Sequence, residues 1–227
     1  MRLLFFLLLC SAGLAAQTKS KTVDLRKGQV FDVLLLTNNP DAKDLRQDYF
    51  KRAFPIAKAN GYVSGGGFGV VGPPIRGNYQ PEAMAIGTWP GIAERSAGLQ
   101  ALEGEMADFH EMRRKVWPTF HLTYYEMKED VTFTVSTGNY YVVTAFWAEK
   151  KGRFRKFLKQ WEARQAREGG KPLLVLTDGT SPFGYELNPD YFTITEWSSE
   201  AAFRNSLPED NKTGYPGVSH LNQFQIK

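Results

Sequence analysis

One order of sequence elements occurs twice along the 227-residue chain. In each half, an apolar strand leads into a long helix that ends at glycine. Two strands follow, and the second ends at a tryptophan before a short helix. The segments EAMAIGTWPG (82–91) and YFTITEWSSEAAFRN (191–205) are the clearest matching pair. This is the order of a βαββαβ unit, a four-stranded antiparallel sheet with its helices on one face.

The first copy starts with VFDVLLLTNN (30–39), whose Val and Leu content predicts a buried strand. Apolar residues then recur at helical spacing up to Asn60-Gly61, a pair typical of a helix end, and Pro55 should kink this helix. The glycine run 65–67 falls inside the next strand pattern and predicts a β-bulge. Residues 120–127 predict the last strand of this copy.

The second copy starts with a predicted strand at 140–149, followed by a helix whose polar face is strongly basic over 153–167. That face is either solvated or binds an anion or an anionic membrane surface. We place the boundary between the copies near 127–138. The prediction is therefore a first unit at 17–127, with a helical insertion, and a second unit at 128–227. A single unit leaves one sheet face uncovered, so we expect the two sheets to pack face to face.

The N-terminus has the layout of a secretory signal peptide. Arg2 precedes an apolar run at 3–14, and Ala15 and Ala16 follow it. The run is shorter than the roughly 20 residues that span a bilayer. We expect cleavage after Ala16 and a periplasmic or secreted protein. The alternatives are a buried N-terminal element, or lipid attachment at Cys10, which would bring the protein to a membrane.

Composition excludes some chemistries. Cys10 is the only cysteine and lies in the predicted leader, so the mature chain would have no catalytic thiol and no thiolate-bound zinc. The formal net charge is +4 with both signs interspersed, which does not predict a nucleic-acid-binding surface. The chain contains neither a phosphate-binding loop nor a Gly-x-Ser-x-Gly nucleophile motif.

Two segments suggest a family. DYFKRAFPIAKANGYVSGGGF (48–68) and YFTITEWSSEAAFRN (191–205) resemble DUF1330 and antibiotic-biosynthesis-monooxygenase-type proteins of the dimeric α/β barrel superfamily. The resemblance covers about 30–100 and 139–207, while the insertion at 101–118 departs from it. It implies an α+β fold in which tandem ferredoxin-like units form a single-chain dimeric α/β barrel. The molecule would then be a monomeric pseudo-dimer or a homodimer.

The strand at 120–127 carries the candidate catalytic residues, His121 and Tyr125. Histidine titrates near neutral pH and can exchange a proton, while a tyrosine hydroxyl can donate a hydrogen bond to a substrate oxygen. Tyr124 and Trp147 are candidate ligand-binding residues. We expect such a site between the sheet and the helices of one unit. The alternative is that these side chains only pack.

Function follows in two alternatives. The first is an exported small-molecule-binding or structural protein without a catalytic role. The second is an oxidoreductase of the monooxygenase type, cofactor-independent or haem-interacting, that acts on a hydrophobic aromatic substrate. No metal or flavin site is expected, and haem is suggested only by the family resemblance, which includes haem-degrading enzymes and dye peroxidases. Whether the space between helices and sheet is hollow or filled distinguishes the two alternatives.

Overall fold

The computed structural model describes residues 20–182, 188–207 and 215–227. The predicted leader, its cleavage site and Cys10 lie outside these ranges. Within them the fold is α+β, with five α-helices packed against antiparallel sheet. None of the helices in these ranges is long and apolar enough to cross a membrane.

Residues 20–126 form five strands and three α-helices, with a short 3₁₀ turn (Pro40–Ala42) before α1. They are β1 (Ser20–Leu25), β2 (Val30–Thr37), α1 (Lys43–Ala59), β3 (Val63–Arg76), β4 (Ala83–Trp89), α2 (Ile92–Glu105), α3 (Phe109–Val116) and β5 (Thr119–Glu126).

The described residues after 126 form five strands and two α-helices. They are β6 (Val131–Ser136), β7 (Tyr140–Ala148), α4 (Lys151–Arg167), β8 (Lys171–Leu176), β9 (Tyr191–Trp197), α5 (Glu200–Ser206) and β10 (Val218–Ile226).

Eight strands form one antiparallel sheet in the order β5-β2-β4-β3-β10-β7-β9-β8. Both halves of this order follow the same path through the chain, with each half's first and third strands at its centre. The halves join where β3 pairs with β10. At the other end, the backbones of Tyr124 and Thr180 exchange two hydrogen bonds of 2.9 Å, which connect β5 to the segment after β8. The two ends of the sheet therefore meet, and the sheet closes on itself.

The inner face of this closed sheet is an apolar core shared by both halves. Phe31 and Tyr125 from the first half and Tyr141, Phe192 and Phe224 from the second are all at most 2% exposed within one cluster. Because strand side chains alternate between faces, the other residues of the same strands point outward to the helices.

A two-stranded ribbon of β1 and β6 packs against this shared core through Val23, Leu25, Phe133 and Val135. No strand was predicted for either segment. The apolar residues of both do alternate with polar ones, the period of a half-buried strand. The linking segment at 127–138 thus contains β6, and the exact unit boundary stays a prediction.

Local sequence signals account for the ends of several elements. Helix α1 continues through Pro55 and ends at Asn60, and Gly61 follows with a φ of +87°, where a side chain would be strained. The predicted bulge in β3 is confirmed, since the register with β4 shifts between Ser64 and Gly66. Helix α5 begins where the Ser199 hydroxyl accepts a hydrogen bond from the backbone N–H of Ala202.

Candidate functional site

A cavity of about 290 Å³ lies between helices α1 and α3 and the outer sheet face of the first half. We call it the helix-side cavity. Its volume is close to the lower end of the range for small-molecule sites, roughly 300 Å³. Most of its wall is apolar. Seven aromatic side chains contribute to it: Tyr49, Phe50, Phe54, Tyr62, Trp89, Trp117 and Phe120.

Small side chains on the facing elements leave this space open. Ala53 and Ala57 lie one and two turns after Tyr49 on the buried face of α1, and Ala85 faces them from β4. Leu34 borders the same space from β2. The aromatic rings at the rim keep helix and sheet apart, while the alanines between them do not fill the gap.

Arg113 brings a positive charge to the cavity wall. Its Nε donates a hydrogen bond of 2.8 Å to the Tyr49 hydroxyl. The guanidinium lies 4.0 Å from the ring centre of Phe109 and 4.6 Å from that of Phe120. Guanidinium groups stack favourably on aromatic faces, so the half-buried charge is held in a fixed orientation.

Asp32 forms the polar floor of the cavity, although it lies on a strand that is otherwise apolar. Its carboxylate accepts hydrogen bonds from Arg95 Nε at 2.8 Å and from Trp89 Nε1 at 2.9 Å. Asp32 and Arg95 are 5% and 6% exposed, and the guanidinium also lies 3.9 Å from the ring centre of Tyr124. A buried ion pair with these partners is satisfied, and it fixes α2 to the sheet.

Tyr62 closes the cavity beside Gly87. Its ring and hydroxyl occupy the space that a β-carbon at Gly87 would take, so glycine is required there. Burial raises the pKa of Tyr62 above its usual range, and the nearby carboxylate of Asp32 adds to this effect. The phenol therefore stays protonated and can donate a hydrogen bond.

The candidate residues of the sequence analysis lie mostly elsewhere. His121, Tyr125 and Trp147 come together around a second space of about 20 Å³ inside the closed sheet. We call it the interior space. The expectation that His121 and Tyr125 face the helices was wrong, because on β5 they alternate with Phe120, Leu122 and Tyr124, which do. Tyr124 thus lies on the opposite face of the sheet from its neighbour Tyr125.

Burial changes the acid–base properties of the interior residues. It lowers the pKa of His121 and raises that of Tyr125 above its usual range. The His121 ring lies edge-on to Tyr79, with ring centres 4.7 Å apart. The interior space is large enough for about one water molecule, since a water needs roughly 10–15 Å³ of such volume.

Neither of these two spaces fits haem. His121 faces a space of about 20 Å³, far too small for a porphyrin. The helix-side cavity is lined by no histidine, cysteine or methionine, and of its tyrosines Tyr49 is bonded to Arg113 while burial keeps Tyr62 protonated. Within the described ranges, no cluster of three or more potential metal ligands occurs.

Sequence reasoning missed the polar residues of the helix-side cavity. Asp32 had a usable signal, since a carboxylate inside a predicted buried strand requires a partner. Arg113 had none, because it lies in a segment rich in charges, DFHEMRRKVW (108–117), and its orientation depends on helix packing. Tyr49 falls in the stretch where apolar residues recur at helical spacing, a pattern that indicates packing and not a polar site.

No protein-family model matches the sequence, and a search of curated proteins finds no significant match. Solved structures are similar in fold. Chlorite dismutase from Candidatus Nitrospira defluvii, in complex with imidazole, has a TM-score of 0.50 at 11% identity, over 89% of this chain and 92% of that one. A doubly substituted variant of that enzyme gives 0.51 at 11% identity, over 89% and 93%.

A monooxygenase-like protein from Lactobacillus acidophilus NCFM has a TM-score of 0.38 at 13% identity, over 88% of this chain and 94% of that one. At such identities, the likeness to chlorite dismutase establishes the fold alone. The fold of this chain is thus similar to that of chlorite dismutase, and membership of the dimeric α/β barrel superfamily or of DUF1330 stays a prediction.

Proposed function

We propose that this chain is a small-molecule-binding protein built as a single-chain dimeric α/β barrel, and that its ligand occupies the helix-side cavity. The shared strand order of the two halves, the β3–β10 junction and the Tyr124–Thr180 closure support this architecture. The cavity itself carries the functional proposal. It is a mostly apolar space with a few oriented polar groups, the usual composition of a ligand site.

The ligand is a planar hydrophobic molecule with an acidic group. Aromatic walls favour flat ring systems, which stack on them or pack against their edges. Arg113 at the wall favours a carboxylate or phenolate oxygen, because a guanidinium donates charge-assisted hydrogen bonds to such groups. Tyr62 can donate a further hydrogen bond.

Binding accounts for the site better than catalysis does. Asp32, the carboxylate at the cavity floor, is engaged by Arg95 and Trp89. His121 could act as a proton acceptor near neutral pH, but it faces the interior space. The oxidoreductase alternative is supported only by the similarity in fold, and a fold does not specify a reaction.

The test is ligand binding by thermal shift and calorimetry with planar aromatic carboxylates, such as naphthoates and anthraquinone carboxylates, and their neutral amides. Binding should raise the free energy of unfolding by about 2.7 kcal/mol at a ligand concentration 100 times the dissociation constant. Ala53→Leu, which fills the cavity, should abolish binding. Ala59→Leu, on the exposed surface of the same helix, is the matched control and should bind like the wild type.

Arg113→Gln separates the two parts of the proposal. This substitution should weaken the binding of the carboxylates and leave the affinity for the neutral amides nearly unchanged. If none of the compounds binds, or if Ala53→Leu binds as the wild type does, the cavity is not a ligand site of this kind.

Export and oligomeric state belong to the same proposal. We place the mature protein in the periplasm or outside the cell, as a monomer whose two halves take the place of a dimer, with membrane attachment only if Cys10 carries a lipid. Mass spectrometry of protein from the periplasmic fraction should give an N-terminus at Gln17, and light scattering should give a single chain. A retained Met1 contradicts the export proposal.

A further inference from the structure

Helix α4 has an unusual charge distribution. Its 17 residues contain seven Lys and Arg side chains and a single acidic one, Glu162. The net charge of the helix is thus +6, compared with +4 for the whole chain, so the rest of the chain is net negative. The opposite face packs on the sheet through Phe154, Phe157 and Trp161.

Five exposed cations lie close together in the first nine residues of the helix and form what we call the basic face: Lys151, Arg153, Arg155, Lys156 and Lys159. Within the part of the chain that the structure describes, no carboxylate lies within ion-pair distance of any of them. Glu162 instead accepts a hydrogen bond from the Tyr191 hydroxyl. The other exposed positions of the helix are small or polar: Gly152, Gln160, Glu162, Ala163, Ala166 and Arg167.

This arrangement works against the stability of the helix. Lys151, Arg155 and Lys159 follow one another at i, i+4 spacing, where like charges repel. The first turn of α4 contains no acidic residue, whereas Asp44, Glu94, Glu111 and Glu200 occupy the first turns of the other four α-helices of the described ranges. Cations at a helix N-terminus oppose the helix dipole. A surface that brings negative charge would relieve both effects.

The chemistry of the face selects the kind of partner. A protein partner is usually anchored by a large apolar or aromatic side chain, and single-stranded nucleic acid by exposed aromatic rings. The exposed large apolar residues of the described chain are Phe50, Val63, Ile92 and Val175, none of which is on α4. A bilayer containing anionic phospholipids requires only a dense array of cations, and clusters of four to eight on a helix are typical of such binding.

We propose that the basic face of α4 binds the surface of membranes containing anionic phospholipids, with the helix lying flat against the phosphodiester headgroups. A 17-residue helix is about 25 Å long and presents its cations to many headgroups at once. The helix-side cavity lies in the other half of the molecule and does not include α4. The proposal is therefore independent of the ligand.

The experiment is co-sedimentation of the purified protein with two kinds of vesicle. One kind contains phosphatidylcholine alone, and in the other about one lipid in three is the anionic phosphatidylglycerol. The protein should bind only the anionic vesicles, and binding should be lost at high salt. Reversal of three charges (Lys151→Glu, Arg155→Glu, Lys159→Glu) should weaken binding by about a hundredfold or more.

The matched control reverses three exposed lysines of α1 (Lys43→Glu, Lys51→Glu, Lys58→Glu), which changes the net charge equally and should leave most of the binding. The α4 variant should also melt at the same or a higher temperature, because it removes like-charge contacts and places glutamate in the first turn. Equal loss in both variants, equal binding to neutral vesicles, or tighter binding to a DNA duplex than to anionic vesicles would each overturn the proposal.

Discussion

The two halves of the molecule share one strand order but differ in how helix packs on sheet. Within the described residues, α1 leaves a cavity against its sheet, whereas α4 packs on its sheet through large aromatic side chains. Strand registers align the halves, since Val30 pairs with Trp89 and Tyr140 pairs with Trp197. By this alignment Asp32 corresponds to Val142 and Leu36 to Phe146.

The long helices can be aligned separately, by counting back from the glycines that end them, Gly61 and Gly169. Ala53 of α1 then corresponds to Trp161 of α4. In the second half, Trp161 and Phe146 lie with ring centres 5.1 Å apart in an edge-to-face contact. Where the second half has two large rings, the first has an alanine and a leucine. The difference in side-chain volume is left empty as the helix-side cavity.

The comparison shows that one backbone arrangement supports either a packed core or a pocket, and that a few side-chain volumes decide which. Packed interiors contain few voids larger than water, so a cavity of about 290 Å³ is a loss of packing energy that a ligand would restore.

The largest effect should follow from hollowing the filled half. Trp161→Ala should reduce the free energy of unfolding by about 3–5 kcal/mol, since it removes a buried ring from an aromatic cluster. Urea unfolding followed by far-UV circular dichroism measures this. A loss below about 1 kcal/mol would mean that the second half is less tightly packed than the contacts indicate.

A comparable effect should follow from breaking the ion pair that the second half lacks. Asp32→Ala should cost about 3–4 kcal/mol, because it leaves the buried Arg95 charge without its partner. The double variant Asp32→Leu/Arg95→Leu should recover much of this loss, as no buried charge then remains. Chemical denaturation of all three proteins checks it, and additive losses would contradict the coupling.

A smaller effect of opposite sign should follow from filling the hollow half. Ala53→Leu should leave stability unchanged or increase it by about 1 kcal/mol, because the added methyl groups enter empty space. Ala145→Leu, inside the closed sheet and 3% exposed, should cost about 1–3 kcal/mol by overpacking. Melting curves of the two variants, measured side by side, test this difference in stability. The difference disappears if the protein has no cavity beside Ala53 in solution.

The smallest effect concerns the interior that both halves share. Burial lowers the pKa of His121, so the folded state takes up a proton less readily than the unfolded state. Stability from this group is present above the unfolded-state pKa of about 6.5 and declines as the pH falls below it. His121→Gln should flatten the stability profile between about pH 5 and 7. If the pH dependence of stability is unchanged in this variant, other titrating groups cause it.

Sequence reasoning predicted the repeated order of elements well because it depends on local signals. Helix α1 ends at Asn60-Gly61, and β3 has its bulge at the glycine run, since a backbone with φ above zero favours glycine wherever it occurs. The ribbon of β1 and β6 was missed. Its short alternating segments pair across more than 100 residues, and pairing of that range is not visible in a local pattern.

The site was harder to predict than the fold. His121, Tyr125 and Trp147 come together as one cluster, but on the inner face of the sheet. The polar groups of the helix-side cavity come instead from α1, β2, α3 and the turn before β3. Strand alternation places Tyr124 and Tyr125 on opposite faces of the sheet. It does not determine which of the two faces borders a cavity.

The sequence by itself determined the α+β class, the doubled element order and the positions of helix ends, because these follow from periodicity, glycine and capping within a few residues. The tertiary structure decided which face of each strand meets the helices, how β3 and β10 join the halves, and that Asp32 meets Arg95. It also decided that Ala53 borders empty space while its counterpart Trp161 fills its own. A cavity or an ion pair is formed by elements that are distant in the chain, so it exists only once those elements are packed together.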